Sequence, residues 1–261
     1  MMDHPVVRIS HRGGGSLAPE NSIEGIEAAI LHGVDMVEVD VRITRDGWLA
    51  LSHDPLLHGT QLAIASSTID ELRDASPHTA TLDDALKAAR GRVRVNLDIK
   101  DPRALDAAVE AVRAHRVDDA VIICCLEAPC LVRAAELAPG IPRFFSYPPD
   151  YGGASSKAWL KPAVNATVAL MRMTMHMRLP GMLKPIPGSG ATIYYRLITP
   201  RLIGLARTLG INLYTWTVDD ASEMRRLVAL GVDGVTSNRP DLLAGLARDM
   251  RQRAPAKPAS G

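Results

Sequence analysis

Apolar positions along this chain switch between two periods, and the switching repeats. Residues 6–10 read as a strand. Residues 22–32 follow as a helix, with Ile23, Ile26, Ala29 and Ile30 at helical spacing and Gly33 as its stop. A second strand covers 36–41, and a short extended piece, 48–52, comes after the turn signal Arg45-Asp46-Gly47. A stretch rich in Ser, Thr and His, about 55–80, then interrupts the rhythm before Thr81-Leu82-Asp83-Asp84 opens another helix. Beyond it, strands at 93–100, 121–125, 142–146, 191–195, 212–218 and 234–237 alternate with helices at 104–115, 130–137, 200–209, 221–230 and 240–248. Eight strands in alternation with helices predict an α/β fold, a (β/α)8 TIM barrel over residues 1–253 with a short insertion after the second strand. A doubly wound open sheet is the competing topology. Against it, Gly13-Gly14-Gly15 ends well before the predicted helix, which is the wrong spacing for a phosphate-binding loop that opens a helix. These glycines are read instead as letting the backbone pass close to a ligand or turn sharply.

One segment breaks the pattern. Between 151 and 218 there is no Asp or Glu, while Lys157, Lys161, Arg172, Arg178, Lys184, Arg196, Arg201 and Arg207 are all basic. Met171, Met173, Met175, Met177 and Met182 crowd its middle, and the prolines at 180, 185 and 187 predict irregular chain after about 179. The segment 148–190 is thus a long crossover whose methionines fill a core face. The alternative is a lid or amphipathic surface, with 160–187 touching lipid or an apolar substrate tail. The tail 254–261, rich in Pro, Ala and Ser, is expected to be disordered.

Composition narrows the setting. Aromatic residues are only 4%, so the core must come from Ala, Leu, Val and Ile; with a net charge of +1 and no basic block, nucleic acid is not an expected partner. No signal peptide or spanning run is seen at the start or elsewhere, and an odd set of cysteines (Cys124, Cys125, Cys130) suits buried thiols better than disulfides. A cytoplasmic location is expected. Oligomeric state leaves no trace in the sequence.

Chemistry concentrates in the first hundred residues. Glu38 and Asp40 stand at i and i+2 on one strand face, with Val37, Val39 and Val41 on the other. The third strand repeats the device, with Asn96, Asp98 and Lys100 alternating with Val95, Leu97 and Ile99. Carboxylates facing a barrel interior require a cation. Three oxygen donors without a Cys/His pattern favour a hard divalent ion, Mg²⁺ or Ca²⁺, at Glu38, Asp40 and Asp98. The competing reading is a structural network of salt bridges among these residues, Arg12 and Lys100. His11 and His53 each follow an extended segment, so both belong on the rim where barrel active sites form. Two imidazoles there supply an acid and a base, and Arg12 and Lys100 supply charge for an anion. His32, His58, His78, His115 and His176 are read as ordinary structural or surface residues. The set describes a site for phosphate ester cleavage of a small molecule.

The ordered motifs His11-Arg12-Gly13, Pro19-Glu20-Asn21-Ser22, Gly33 to Val41, Thr44-Arg45-Asp46-Gly47, His53-Asp54, Asn96 to Lys100, Tyr214 to Val218 and Gly231 to Pro240 closely resemble the glycerophosphodiester phosphodiesterases. The resemblance implies metal-dependent hydrolysis of glycerophosphodiesters to an alcohol and glycerol 3-phosphate. His11 and His53 would be the acid/base pair, Glu38, Asp40 and Asp98 the metal ligands, and Arg12 and Lys100 the phosphate contacts. It adds Trp216 as a wall of the glycerol pocket and Glu20 as a hydrogen-bonding support. The chain departs from the pattern at Asp98, where Glu is usual, and in the run Leu57-His58-Gly59-Thr60. It also departs at Asp219, where Asn is common, and at Ser237-Asn238, in place of Thr-Asp. A short insertion leaves an open site. A lysophospholipase D-like activity at a membrane surface is therefore an alternative, and a non-catalytic barrel that binds a phosphorylated ligand is a third reading.

Overall fold

A computed structural model of the chain describes residues 6–149 and 160–253. The expected disordered tail and the first part of the basic crossover, 150–159, lie outside the described residues. Within them, eight parallel strands close into a barrel: β1 (Val7–Ser10), β2 (Met36–Ile43), β4 (Arg94–Ile99), β5 (Val121–Cys125), β6 (Arg143–Tyr147), β7 (Ser189–Tyr194), β8 (Leu213–Trp216) and β9 (Gly234–Ser237). Closure is direct, because β1 pairs in parallel with β2 on one side and with β9 on the other. The open-sheet alternative therefore fails. β3 (Leu49–Leu51), the extended piece expected after the second strand, adds antiparallel to the end of β2.

The helices form the outer ring: α1 (Ile23–Leu31), α3 (Leu82–Ala89), α4 (Leu105–His115), α5 (Ala128–Leu137), α6 (Lys161–Leu183), α7 (Pro200–Leu209), α8 (Ala221–Leu230) and α9 (Pro240–Arg253), with the short α2 (Ile69–Ala75) inside the insertion. Their starts are set locally. The Ser22 side chain accepts from Gly25 N at the head of α1, and Thr81 with Asp84 forms a reciprocal capping box at α3. The strands sort their side chains by parity. Val37, Val39, Leu97, Ile99, Ile123 and Val235 face outward into one core shared with Ile26, Leu86, Val109, Leu131, Ile203 and Leu227 of the helices. Each such buried aliphatic side chain contributes about 1.5–3 kcal/mol of transfer free energy. Inside the barrel, Ile9, Met36, Ile122, Cys124, Phe144 and Tyr214 form an apolar floor, with Phe144 and Tyr214 stacked at 4.4 Å between centroids. The three cysteines are free and buried, as expected.

The insertion holds a helix that the apolar periodicity does not predict: Thr68 and Glu71 form a capping box that starts α2, whose Ile69 and Leu72 are buried. One expectation is corrected. The crossover does not turn irregular at 179: α6 runs to Leu183 with Pro180 inside it. Proline removes one helical hydrogen bond, but Met175, Leu179 and Leu183 are buried against the main core, and that packing carries the last turn through. No helix among the described residues is long and apolar enough to cross a membrane.

Candidate active site

Strand parity and parallel register assemble the acidic cluster. On β2 the inward series that begins with Met36 in the floor continues as Glu38 and Asp40, one and two layers above it. On β4, Asn96 lies beside Glu38 and Asp98 beside Asp40. Ligand atoms of Glu38, Asp40 and Asp98 all fall within 4.8 Å of one another. Glu38 is 5% exposed and Asp40 fully buried, so their charges are not screened by water.

Two fixed cations answer them. Lys100 Nζ lies 2.6 Å from Asp98 Oδ2 and 3.2 Å from Asp40 Oδ1. Arg12 donates through Nη1 to Glu20 Oε2 at 2.5 Å, its Nε lies 3.7 Å from Asp40 Oδ2, and its main-chain N–H donates to Glu38 Oε2 at 2.8 Å. That double use of Arg12 goes with a left-handed backbone, φ +50°, which costs about 1–3 kcal/mol for a side-chain-bearing residue and is held here by its surroundings. Asn21 accepts from the Asp40 main-chain N–H and donates from Nδ2 to Asp40 Oδ2, so it seats the middle carboxylate from both sides.

Electrostatics follow from this crowding. Burial, then Asp40 and Asp98, push the Glu38 carboxyl well above the usual carboxylate range. Burial also opposes the charge of Asp40, but Lys100, His53, Arg12 and His11 hold it well below that range. For Lys100, burial is outweighed by Asp98, Asp40 and Glu38, which hold it protonated. With Glu20, which holds Arg12, four carboxylates share two cations. Asp40 Oδ1 and Asp98 Oδ1 are buried and accept no hydrogen bond, although Lys100 stands near the first. Unfilled carboxylate oxygens, a deficit of positive charge and an all-oxygen donor set fit a hard divalent cation. Arg12 Nε is likewise buried and makes no hydrogen bond, its nearest carboxylate being Asp40 at 3.7 Å.

The imidazoles flank the cluster. His11 Nε2 is 3.9 Å from Glu38 Oε2 and its Nδ1 is 2.7 Å from Asn238 Oδ1. Burial lowers the His11 pKa, with Asp40 pulling the other way. His53 is seated through the backbone: Ser52 N–H donates to Asp40 O, and Arg42 donates to His53 O from Nε at 3.2 Å and Nη2 at 2.7 Å. Its Nδ1 lies 2.9 Å from Asp54 Oδ1. The His11, Arg12, Glu20, Glu38, Asp40, His53, Asp98 and Lys100 of the sequence reading are therefore gathered at one mouth of the barrel. Trp216 is two strands from β1, at the end of β8, with Nε1 donating to Thr192 O and its ring 5.7 Å from that of Tyr194.

Residues not singled out from the sequence complete the site. Asn21 lay inside a motif that was read for Glu20 alone. Arg42 continues the inward series 36, 38, 40 by one step, so its signal was available. The glycine run turns sharply, as one of the two expected uses has it, with Gly13 at φ +77° and Gly15 at φ +58°. Gly14 lets the loop meet α1, since a Cβ there would stand 2.5 Å from Gly25 Cα, and Gly15 at φ +58° abuts Asn238, where a Cβ would lie 2.3 Å from its carbonyl oxygen. At Gly14 and Gly15 the close approach is to protein backbone.

An eight-stranded barrel whose strand ends bring together a carboxylate trap, two anchored cations and two imidazoles is the equipment of a hydrolase for anionic esters. Residues 11–242 match the model of the glycerophosphoryl diester phosphodiesterase family. The chain belongs to that family and is an enzyme, a phosphodiester hydrolase, so the non-catalytic reading falls away. It is 30% identical over 249 residues to a Mycobacterium tuberculosis protein called probable glycerophosphodiester phosphodiesterase 2, covering 91% of this chain and 89% of that one. It is 24% identical over 260 residues to the glycerophosphodiester phosphodiesterase of Caldanaerobacter subterraneus, covering 92% and 97%. Among solved structures, an Oleispira antarctica phosphodiesterase in complex with the product sn-glycerol-3-phosphate superposes with a TM-score of 0.73 at 22% identity, covering 94% of this chain and 97% of that one.

Proposed function

We propose that this enzyme hydrolyses glycerophosphodiesters to an alcohol and glycerol 3-phosphate, using a divalent ion, Mg²⁺ or Ca²⁺, held by Glu38, Asp40 and Asp98. The observation that carries the reading is the carboxylate trio from two adjacent strands, with free buried oxygens on Asp40 and Asp98 and with Arg12 and Lys100 beside them. The product bound to the Oleispira protein supports the substrate class. When bound, the ion supplies Lewis-acid charge for a phosphoryl oxygen. Arg12 and Lys100 bind the phosphodiester and offset the charge that grows on its oxygens, commonly the largest catalytic contribution. Glu20 and Asn21 keep Arg12 and Asp40 in place. One imidazole takes a proton from the attacking oxygen, and the other gives one to the leaving alcohol. Trp216 offers an apolar wall to the glycerol. A screen of glycerophosphodiesters against a panel of divalent ions, with chelator as control, tests the proposal. Turnover is expected only with metal, and release of a product other than glycerol 3-phosphate would overturn the substrate assignment.

A second reading, lysophospholipid cleavage at a membrane, has its own observation. Leu170, Met173 and Met177 stand 63%, 71% and 65% exposed on α6, at spacings that place them on one helical face. Arg172 and Arg178 lie between and beside them on a segment without acidic residues. Sedimentation with anionic liposomes decides: the reading requires binding by the parent chain and its loss in Met173→Asp/Met177→Asp.

A further inference from the structure

His11 carries a hydrogen-bonded chain behind it that sets which of its nitrogens can work. Asp219 follows β8 and Asn238 follows β9. The Asn238 main-chain N–H donates to Asp219 Oδ1 at 2.8 Å, and its side-chain Nδ2 donates to Asp219 Oδ2 at 2.8 Å. Ser237 Oγ adds a third donor to Oδ1 at 3.0 Å. A carboxylate only accepts, so the amide NH₂ of Asn238 must face Asp219. The other end of the amide, Oδ1, therefore faces His11 Nδ1 at 2.7 Å, and an amide oxygen also only accepts. The proton must sit on Nδ1. The backbone of Asn238 is held as firmly, since its carbonyl accepts from Ser16 N at 2.8 Å and Ser16 Oγ at 2.9 Å through the loop that Gly15 permits.

We propose that Asp219 and Asn238 are positioning residues for the reaction: Asp219 orients the Asn238 amide, and Asn238 fixes His11 as the tautomer whose lone pair is on Nε2, toward the acidic cluster. The inference rests on the acid/base role proposed for His11 and deepens it by naming the working atom. It also explains two departures from the family pattern at once. The carboxylate at 219 and the amide at 238 occupy each other's usual places and face one another. The pair keeps one carboxylate and one amide, and the negative charge is moved one residue further from the ring. A carboxylate at 238 with an amide at 219 would satisfy His11 Nδ1 equally well, because either oxygen accepts.

The test is a cycle of Asp219→Asn, Asn238→Asp and the exchange that carries both. In Asp219→Asn nothing forces the amide of Asn238, so kcat is expected to fall roughly 10²-fold, the lower end of what a positioned proton-transfer group supplies, with KM little changed. Asn238→Asp sets two carboxylates face to face and is expected to fall at least as far. The double exchange is expected to return kcat to within a few-fold of the parent. Unchanged kcat in Asp219→Asn, or losses that simply multiply in the double variant, would overturn the proposal. Long-range ¹H–¹⁵N spectra of the His11 ring in the substrate-free protein give a readout that does not depend on turnover. The parent should show a protonated Nδ1 and a bare Nε2, and Asp219→Asn a mixture; a parent protonated on Nε2 sinks the proposal. An inactive parent with the expected ring spectrum would instead count against the substrate assignment alone.

Discussion

The rim of the barrel divides into two arcs of opposite character. From β1 through β2 to β4, the inward ends present His11, Glu38, Asp40, Asp98 and, one residue on, Lys100, tied to one another by ion pairs and to Arg12. From β6 to β8 the inward positions above the floor hold Ser146, Thr192 and Trp216, without an ionisable side chain among them. The same scaffold and the same inward/outward alternation produce both, so fold does not account for the difference. It arises from which residues occupy every second position. The charged arc sacrifices packing for field strength: its polar groups are buried at a cost that only mutual pairing offsets. The neutral arc continues the floor upward and gives a substrate an uncharged surface. A glycerophosphodiester, anionic at its phosphate and uncharged in its glycerol, matches a rim divided in this way.

That division can be broken at graded strength. Stripping metal with a chelator should abolish turnover while leaving the secondary structure intact by circular dichroism; persistent hydrolysis in chelator would mean that the carboxylate trio serves only as a salt-bridge network. His11→Ala and His53→Ala should each lower kcat by about 10²–10⁴-fold with a near-parental melting temperature, and near-normal rates in either would remove that imidazole from the chemistry. Lys100→Met leaves Asp40 and Asp98 short of a cation in a buried setting. Chemical denaturation should show a loss of about 3–5 kcal/mol, far more than Ser146→Ala on the neutral arc, and equal effects would erase the contrast. Trp216→Ala should act on the other arc alone, raising KM about tenfold, the equivalent of about 1.4 kcal/mol, while kcat stays within a few-fold. A fall in kcat with constant KM would move Trp216 into the reacting centre. The smallest effect is expected from Met173→Gln with a water-soluble glycerophosphodiester, where rates should not change at all.

How much of this was legible beforehand follows from what each signal depends on. Period-two alternation on 36–41 and 93–100 exposes the carboxylates and their face directly, because the pleat makes parity a local property. The barrel's closure was inferred only from the count of alternating units, since the pairing of β1 with β9 joins residues at opposite ends of the sequence. α2 was passed over because its apolar positions are few, although Thr68 and Glu71 carried the capping signature. Pro180 misled in the other direction: a local breaker was outvoted by the burial of Leu179 and Leu183, which no local rule contains. Asp219 and Asn238 were noticed one at a time as departures. That they are a pair depends on β8 and β9 being neighbours, which is a tertiary fact.

The seam between β1 and β9 also gives this enzyme a schedule. During synthesis, residues 7–10 leave the ribosome early but have a strand on one side only until 234–237 arrive. The bond between His11 and Asn238 spans 227 positions, so the imidazole acquires its anchor at nearly the last moment. Until residue 238 is in place, the His11 ring lacks the side-chain oxygen that meets its Nδ1.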